Sequence, residues 1–148
     1  MSEKVEVINK LLVELFNDIQ EIEEQSLRRE DIGDLSITEI HTIEAIGINV
    51  EKTMSEIAQS LRVTGGTLTA CINKLIKKGY VERNRTEADR RIVLIKLTEQ
   101  GKRAFEQHKK FHDEMVHNTI KSLKDDEKAV LISSLDKIKQ FFADKYNV

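Results

Sequence analysis

Apolar residues recur at intervals of three and four along most of this chain, and give way to a run of strand formers between residues 80 and 97. In residues 3–28, Val5, Ile8, Leu12, Leu15, Ile19 and Ile22 form one stripe, widened by Leu11 and Phe16. That spacing predicts a helix too apolar on one side to stand alone. Residues Leu35–Gly47 predict a shorter helix, opened by the reciprocal capping pair Ser36 and Glu39. A second such pair, Thr53 and Glu56, opens a helix with Met54, Ile57, Ala58 and Leu61 turned inward. After Arg62 and Val63, Thr64 is placed to cap another helix, with Leu68, Cys71, Ile72, Leu75 and Ile76 as its inward stripe. Gly79 ends it, as a left-handed glycine commonly does. Two strands follow, Tyr80–Arg83 and Ile92–Leu97, separated by the polar loop Asn84–Arg91. A long helix is predicted over residues 98–122, opened by Thr98, and a last one from about Asp125 to Lys145. On that last helix Leu131, Leu135, Ile138 and Phe142 share a face, with Phe141 beside them.

Helix, short turn, helix and basic-tipped hairpin make a winged helix-turn-helix, an arrangement that reads double-stranded DNA. The outward face of the second helix carries Gly65, Gly66, Thr67, Thr69, Ala70, Asn73 and Lys74, with Thr64 at its start. These residues are small or hydrogen-bonding, as a helix entering a major groove requires. The hairpin loop carries Arg85, Arg90 and Arg91, which suits phosphate contact or minor-groove insertion. Taken alone, such a loop reads as a solvated charged hairpin; joined to the helix pair, it predicts a DNA-contacting wing.

Charge separates the parts of the chain. The whole carries a formal net charge of −2, so it is not globally basic. Residues 1–61 hold 5 Lys/Arg against 14 Asp/Glu, residues 62–91 hold 8 against 3, and residues 92–148 hold 11 against 9. Positive charge is therefore concentrated on the proposed reading helix and wing, where phosphate binding needs it. The acidic first part would repel DNA and belongs elsewhere.

A length of 148 residues suits one modest domain, or a small domain with a dimerisation element. The absence of Trp and Pro and the 34% of charged residues suit a helix-rich protein. No apolar run approaches the roughly 20 residues that span a bilayer, and the acidic, amphipathic N-terminus does not read as a secretory leader. No membrane partner and a cytoplasmic location are expected. A lone cysteine fits a reducing compartment, and Cys71, on an inward stripe, reads as a small core residue rather than an oxidation sensor. Ser, His and Asp residues form no recognisable nucleophile arrangement and no glycine loop cradles phosphate, so neither enzymatic activity nor a cofactor is expected. The terminal helices lack an obvious partner within a winged-helix core. The expectation is that they interlock between two copies in a homodimer; packing into a bundle within one chain is the alternative.

The run Asp89-Arg90-Arg91, followed after five residues by Leu97-Thr98, resembles the wing pattern of the MarR family of dimeric bacterial transcription regulators. The resemblance covers nearly the whole chain and is most specific at the wing and the helix pair. It implies a mainly α, triangular dimer: a winged helix-turn-helix with a two-stranded wing over residues 35–98, and a helical dimerisation region over residues 1–34 and 99–148. It also implies that Asp89 orients Arg91, with Arg90 and Arg85 nearest the DNA, and that two reading helices meet the half-sites of a pseudo-palindromic operator. The double Gly65-Gly66 departs from the bulkier polar residues of many members. Two glycines weaken a helix start by about 1 kcal/mol each against alanine, and either permit close approach to DNA or merely loosen the turn.

MarR-like proteins commonly bind small molecules at the junction between dimer region and reading head, here near the helix predicted over Leu35–Gly47. Zinc-sensing relatives use an acidic residue of the first helix, a histidine of the second and a His-x-x-x-His pair; Glu24, His41, His108 and His112 match those roles. The blander account has these histidines lining a junction with Ala104, Phe105, Phe111, Met115 and Thr119, and no metal is assigned from sequence. Ser36-Ile37-Thr38-Glu39-Ile40-His41-Thr42-Ile43, His108-Lys109-Lys110-Phe111-His112, Ile22-Glu23-Glu24 and Ile46-Gly47 are similar to the branch that represses fatty-acid-synthesis genes. In that branch an acyl chain on acyl carrier protein is the corepressor. The likeness implies a small apolar ligand or acyl chain held by His41, His108, Phe111, His112 and Met115, and an acidic carrier docked on Lys109 and Lys110. Three functions stay open: a ligand-responsive repressor, a zinc-dependent regulator on the same scaffold, and a winged-helix protein-interaction module that does not bind DNA.

Overall fold

The computed structural model describes residues 2–29 and 31–148. The elements run α1 (Glu3–Arg29), α2 (Ile37–Ile46), β1 (Lys52–Thr53), α3 (Met54–Leu61), α4 (Gly65–Lys78), β2 (Val81–Arg85), β3 (Val93–Leu97), α5 (Glu99–Ile120) and α6 (Asp125–Tyr146). Two compact units result, one reaching to Lys109 and the other spanning Lys110–Val148.

Local chemistry sets the helix ends of the first unit. Ser36 and Glu39 cap α2 reciprocally, and Thr53 and Glu56 do the same for α3. The Thr64 hydroxyl accepts the Thr67 N–H at 3.2 Å and starts α4. At the other end Gly79 takes a φ of 87°, and its N–H and that of Tyr80 close onto Ile76 and Leu75 carbonyls. The turn between α3 and α4 uses Arg62 in the left-handed region, at a φ of 57°.

The core lies between these helices and the sheet. Ile40, Ile43 and Ile46 of α2, Ile57 of α3, and Leu68, Ile72 and Leu75 of α4 are fully or almost fully buried, with Ile95 of β3 against them. Cys71 is buried in the same layer, its sulfur 3.3 Å from the Thr42 hydroxyl. Tyr80 is buried at the joint between α4 and β2, and its hydroxyl donates to Asp34 Oδ1 at 2.6 Å. Burial, and after it that hydrogen bond, push its pKa up to about 12.

The wing is one strand richer than expected. The sheet order is β1-β3-β2, all antiparallel, with Lys52 opposite Ile95 and Thr53 opposite Leu94 on the added edge. The hairpin also extends further: Asn84 and Arg85 pair with Leu94 and Val93, where a loop was expected. No helix among the described residues is long and apolar enough to cross a membrane.

Candidate nucleic-acid interface

With Leu68, Cys71, Ile72 and Leu75 turned into the core, α4 presents its other side to solvent. Thr64, Gly65, Gly66, Thr67, Thr69, Ala70, Asn73 and Lys74 are all exposed. A Cβ added at Gly65 or Gly66 would meet no atom within 4 Å, so neither glycine is demanded by packing. The Thr64 hydroxyl donates to Thr67 Oγ1 at 2.9 Å, and Thr69 Oγ1 donates back to the Gly65 carbonyl at 2.8 Å. The resulting surface is uncharged at its start and cationic towards the exposed Lys74 and Lys77. Lys78 is half-buried and tied to Glu39 at 2.7 Å and to the Asp34 carbonyl, so it braces α4 against α2.

The hairpin tip is closed by its own side chains. Thr86 Oγ1 donates to the Asp89 carbonyl at 2.6 Å and accepts the Asp89 N–H at 3.0 Å. Asp89 Oδ1 accepts both the backbone N–H of Arg91, at 3.0 Å, and its Nε–H, at 3.2 Å. Arg85 Nη1 donates to the Arg90 carbonyl at 2.8 Å, so Arg85 braces the tip rather than forming it. Arg90 and Arg91 remain exposed on the turn. Arg83, not anticipated from sequence, lies between hairpin and helix, and its Nη2 donates to Asn73 Oδ1 at 2.7 Å.

A second polar cluster sits inside the first unit. Glu23 of α1 is buried, and its Oε1 lies 3.4 Å from both His41 Nε2 and His108 Nε2. His108 is almost fully buried and also meets Glu44 Oε1 at 3.3 Å. The two imidazoles are tilted by 57° to each other, with centroids 6.2 Å apart. The acidic member expected from sequence, Glu24, stands outward and pairs with Arg28 at 3.7 Å. Its neighbour Glu23 takes the inward place, because one residue on a helix rotates a side chain by about 100°. Phe111, His112 and Met115 follow along α5 in the second unit, half-buried, with the Phe111 and His112 rings edge-on at 5.4 Å.

A helix-turn-helix with a three-stranded wing, carrying an outward face of small residues and an arginine tip, defines the winged-helix fold. A model of the MarR family matches residues 33–92. FabT of Streptococcus pneumoniae, solved in complex with DNA, superposes with a TM-score of 0.90 at 41% identity, over 95% of this chain and 98% of that one. A mutant MarR of E. coli complexed with operator DNA superposes with a TM-score of 0.71 at 26% identity, over 91% and 95% of the two chains. The HTH-type transcriptional regulator BilQ of Clostridium symbiosum is 34% identical over 84 residues, 56% of this chain and 58% of BilQ. The chain thus spans little more than half the length of that curated relative. This protein belongs to the MarR family of transcriptional regulators.

Proposed function

We propose that this protein is a cytoplasmic, homodimeric repressor that binds a pseudo-palindromic DNA operator and responds to an acyl-chain ligand. One observation carries the DNA part: α4 turns its whole small and hydrogen-bonding face outward, beside an exposed arginine turn, in the one segment with a strong excess of positive charge. The likeness to FabT, a protein solved on DNA, supports it. Residues 35–98 form the reading head, and residues 1–34 and 99–148 the dimerisation region. The dimer reading rests on unpartnered apolar faces. Val5, Ile8, Leu12, Leu15, Phe16 and Ile19 are 42% to 62% exposed in the single chain. On α6, Leu135, Phe141 and Phe142 are about half exposed as well. Such faces need a partner.

Fatty-acid-synthesis genes are the proposed targets, with acyl chains on acyl carrier protein as corepressor. The residues around His41 and His108 that resemble that branch, together with the 41% identity to FabT, support this assignment. The test is a titration of full-length protein against genomic fragments over a salt series, with and without acylated carrier. Operator affinity should fall by about a thousandfold between about 50 and about 200 mM salt, as for a dimer neutralising about six phosphates. Long-chain acylated carrier should tighten binding, and affinity that ignores chain length would remove the corepressor assignment. Salt-indifferent binding, or none, would favour a protein-interaction module instead.

The Glu23 cluster favours a second reading, a zinc-responsive regulator. The donor atoms of Glu23, His41 and His108 lie within 4.8 Å of one another, and Glu23 Oε1 stands 3.4 Å from each imidazole nitrogen. Ligand atoms of a tetrahedral zinc are separated by about 3.3 Å, so this set of one carboxylate and two imidazoles fits the ion. Under this reading zinc raises the Tm of the wild type, Glu23→Gln abolishes that rise, and a chelator weakens operator binding. A Tm and an affinity both indifferent to zinc and chelator would leave the cluster as a buried ionic joint.

A further inference from the structure

Asn73 lies in the middle of the exposed face of α4, seven residues from Gly66 and three from Ala70, and so above both on one side of the helix. It is not left to orient itself. Arg83 of β2 reaches across and donates from Nη2 to Asn73 Oδ1 at 2.7 Å. A guanidinium has N–H donors and no acceptor, so the amide atom it touches has to be the oxygen. The contact therefore settles which way the amide is turned: the carbonyl towards Arg83, the NH2 group away from it.

That orientation bears on base reading. An unconstrained asparagine recognises adenine with both ends, accepting from N6–H2 and donating to N7. Arg83 occupies one of the two lone pairs of Asn73 Oδ1 and crowds the carbonyl side of the amide with a cation, so the pair offers mainly N–H donors: two on the Asn73 amide and those of Arg83 beyond the one it gives to Asn73. The complementary edge is one with two adjacent acceptors, and guanine shows O6 and N7 there. We propose that Arg83 is a positioning residue that sets the base preference of Asn73, turning it from adenine to guanine at one position of each half-site. The inference rests on the DNA-binding reading above and names how that surface discriminates. Phosphate oxygens also accept hydrogen bonds, but a contact to them carries no base preference.

The test is selection of full-length wild-type protein on a duplex library, followed by titration of duplexes that carry guanine or adenine at the position in question. Wild type should prefer guanine there by about tenfold. Arg83→Ala, at an exposed strand position, should move the preference at that position towards adenine, and Asn73→Ala should flatten it. Arg83→Lys, which keeps a donor without the fork, should retain part of the guanine preference. A wild-type preference for adenine would overturn the inference. So would an Arg83→Ala protein with equal losses on both duplexes and a salt slope shallower by about one, because that is the signature of a phosphate contact. If the wild type selects no duplex at all, the DNA-binding reading falls and takes this inference with it. A wild type that selects duplexes, with a preference Arg83→Ala does not move, sinks this inference alone.

Discussion

Leu15→Glu is expected to convert the proposed dimer to monomers and to weaken operator binding by a hundredfold or more, on the order of the avidity that two linked sites supply. Leu15 lies within the α1 stripe and is 54% exposed in the single chain. Its side chain therefore contributes little to the fold of one copy, and a charge there leaves that fold intact. In a two-fold dimer each substitution acts twice. Each lost leucine contact forfeits roughly 1.5–3 kcal/mol of burial, and each glutamate adds a carboxylate to an apolar interface. Monomers still carry a reading helix and a wing, but each holds one half-site. Sedimentation gives the mass, circular dichroism the helix content, and titration the affinity. A Leu15→Glu protein that stays dimeric and keeps full operator affinity would exclude α1 from the interface and sink the interlocked arrangement.

What could be read from sequence divides along physical lines. Ser36 with Glu39, Thr53 with Glu56, and Thr64 with Thr67 each act across three residues, so the starts of α2, α3 and α4 were visible before any tertiary contact. The inward and outward faces of α4 were equally plain, because 3.6-residue periodicity alone separates Leu68, Cys71, Ile72 and Leu75 from Asn73 and Lys74. Strand β1 could not be seen. Two residues carry no alternation, and Thr53 was already accounted for as a cap; only pairing with Ile95 and Leu94 makes the segment a strand. Asn84 and Arg85 are exposed and polar, and their strand character also comes from distant partners, Leu94 and Val93.

The sites divide in the same way. Asp89 and Arg91 are two residues apart, and their link follows from the motif. The join of Glu23, His41 and His108 depends on how three helices pack, and choosing Glu23 over Glu24 requires the rotation of α1 against α2. The Arg83–Asn73 bond joins a strand to a helix across a turn, where composition carries no signal. Local chemistry thus disclosed which face of α4 stands outward, while packing decided which side chains hold one another in place.

Alanine at Gly101 is expected to cost about 3 kcal/mol, the upper end for overpacking, and to lower the Tm by about 10 °C. Gly101 is buried in the first turn of α5, and a Cβ there would stand 2.1 Å from the Tyr80 carbonyl oxygen and 3.1 Å from Leu97 Cβ. That carbonyl cannot readily withdraw, because it accepts the Thr98 N–H at 3.0 Å. Thr98 in turn donates from its hydroxyl to the Gly79 carbonyl at 2.6 Å and accepts the Gly101 N–H at 3.1 Å. The crowded point therefore locks the end of α4, the start of β2 and the start of α5 together. Relief requires one of them to shift, and a shift at α4 moves the helix that carries the proposed DNA-reading face. Gly66→Ala supplies the contrast, since its Cβ meets nothing within 4 Å and its φ is not left-handed. There alanine should stabilise by about 0.5–1 kcal/mol through helix propensity. The same chemical change thus takes opposite signs at two helix starts. Thermal unfolding of the two variants beside the wild type decides it, and a Gly101→Ala protein that melts with the wild type would show that the joint has room to give.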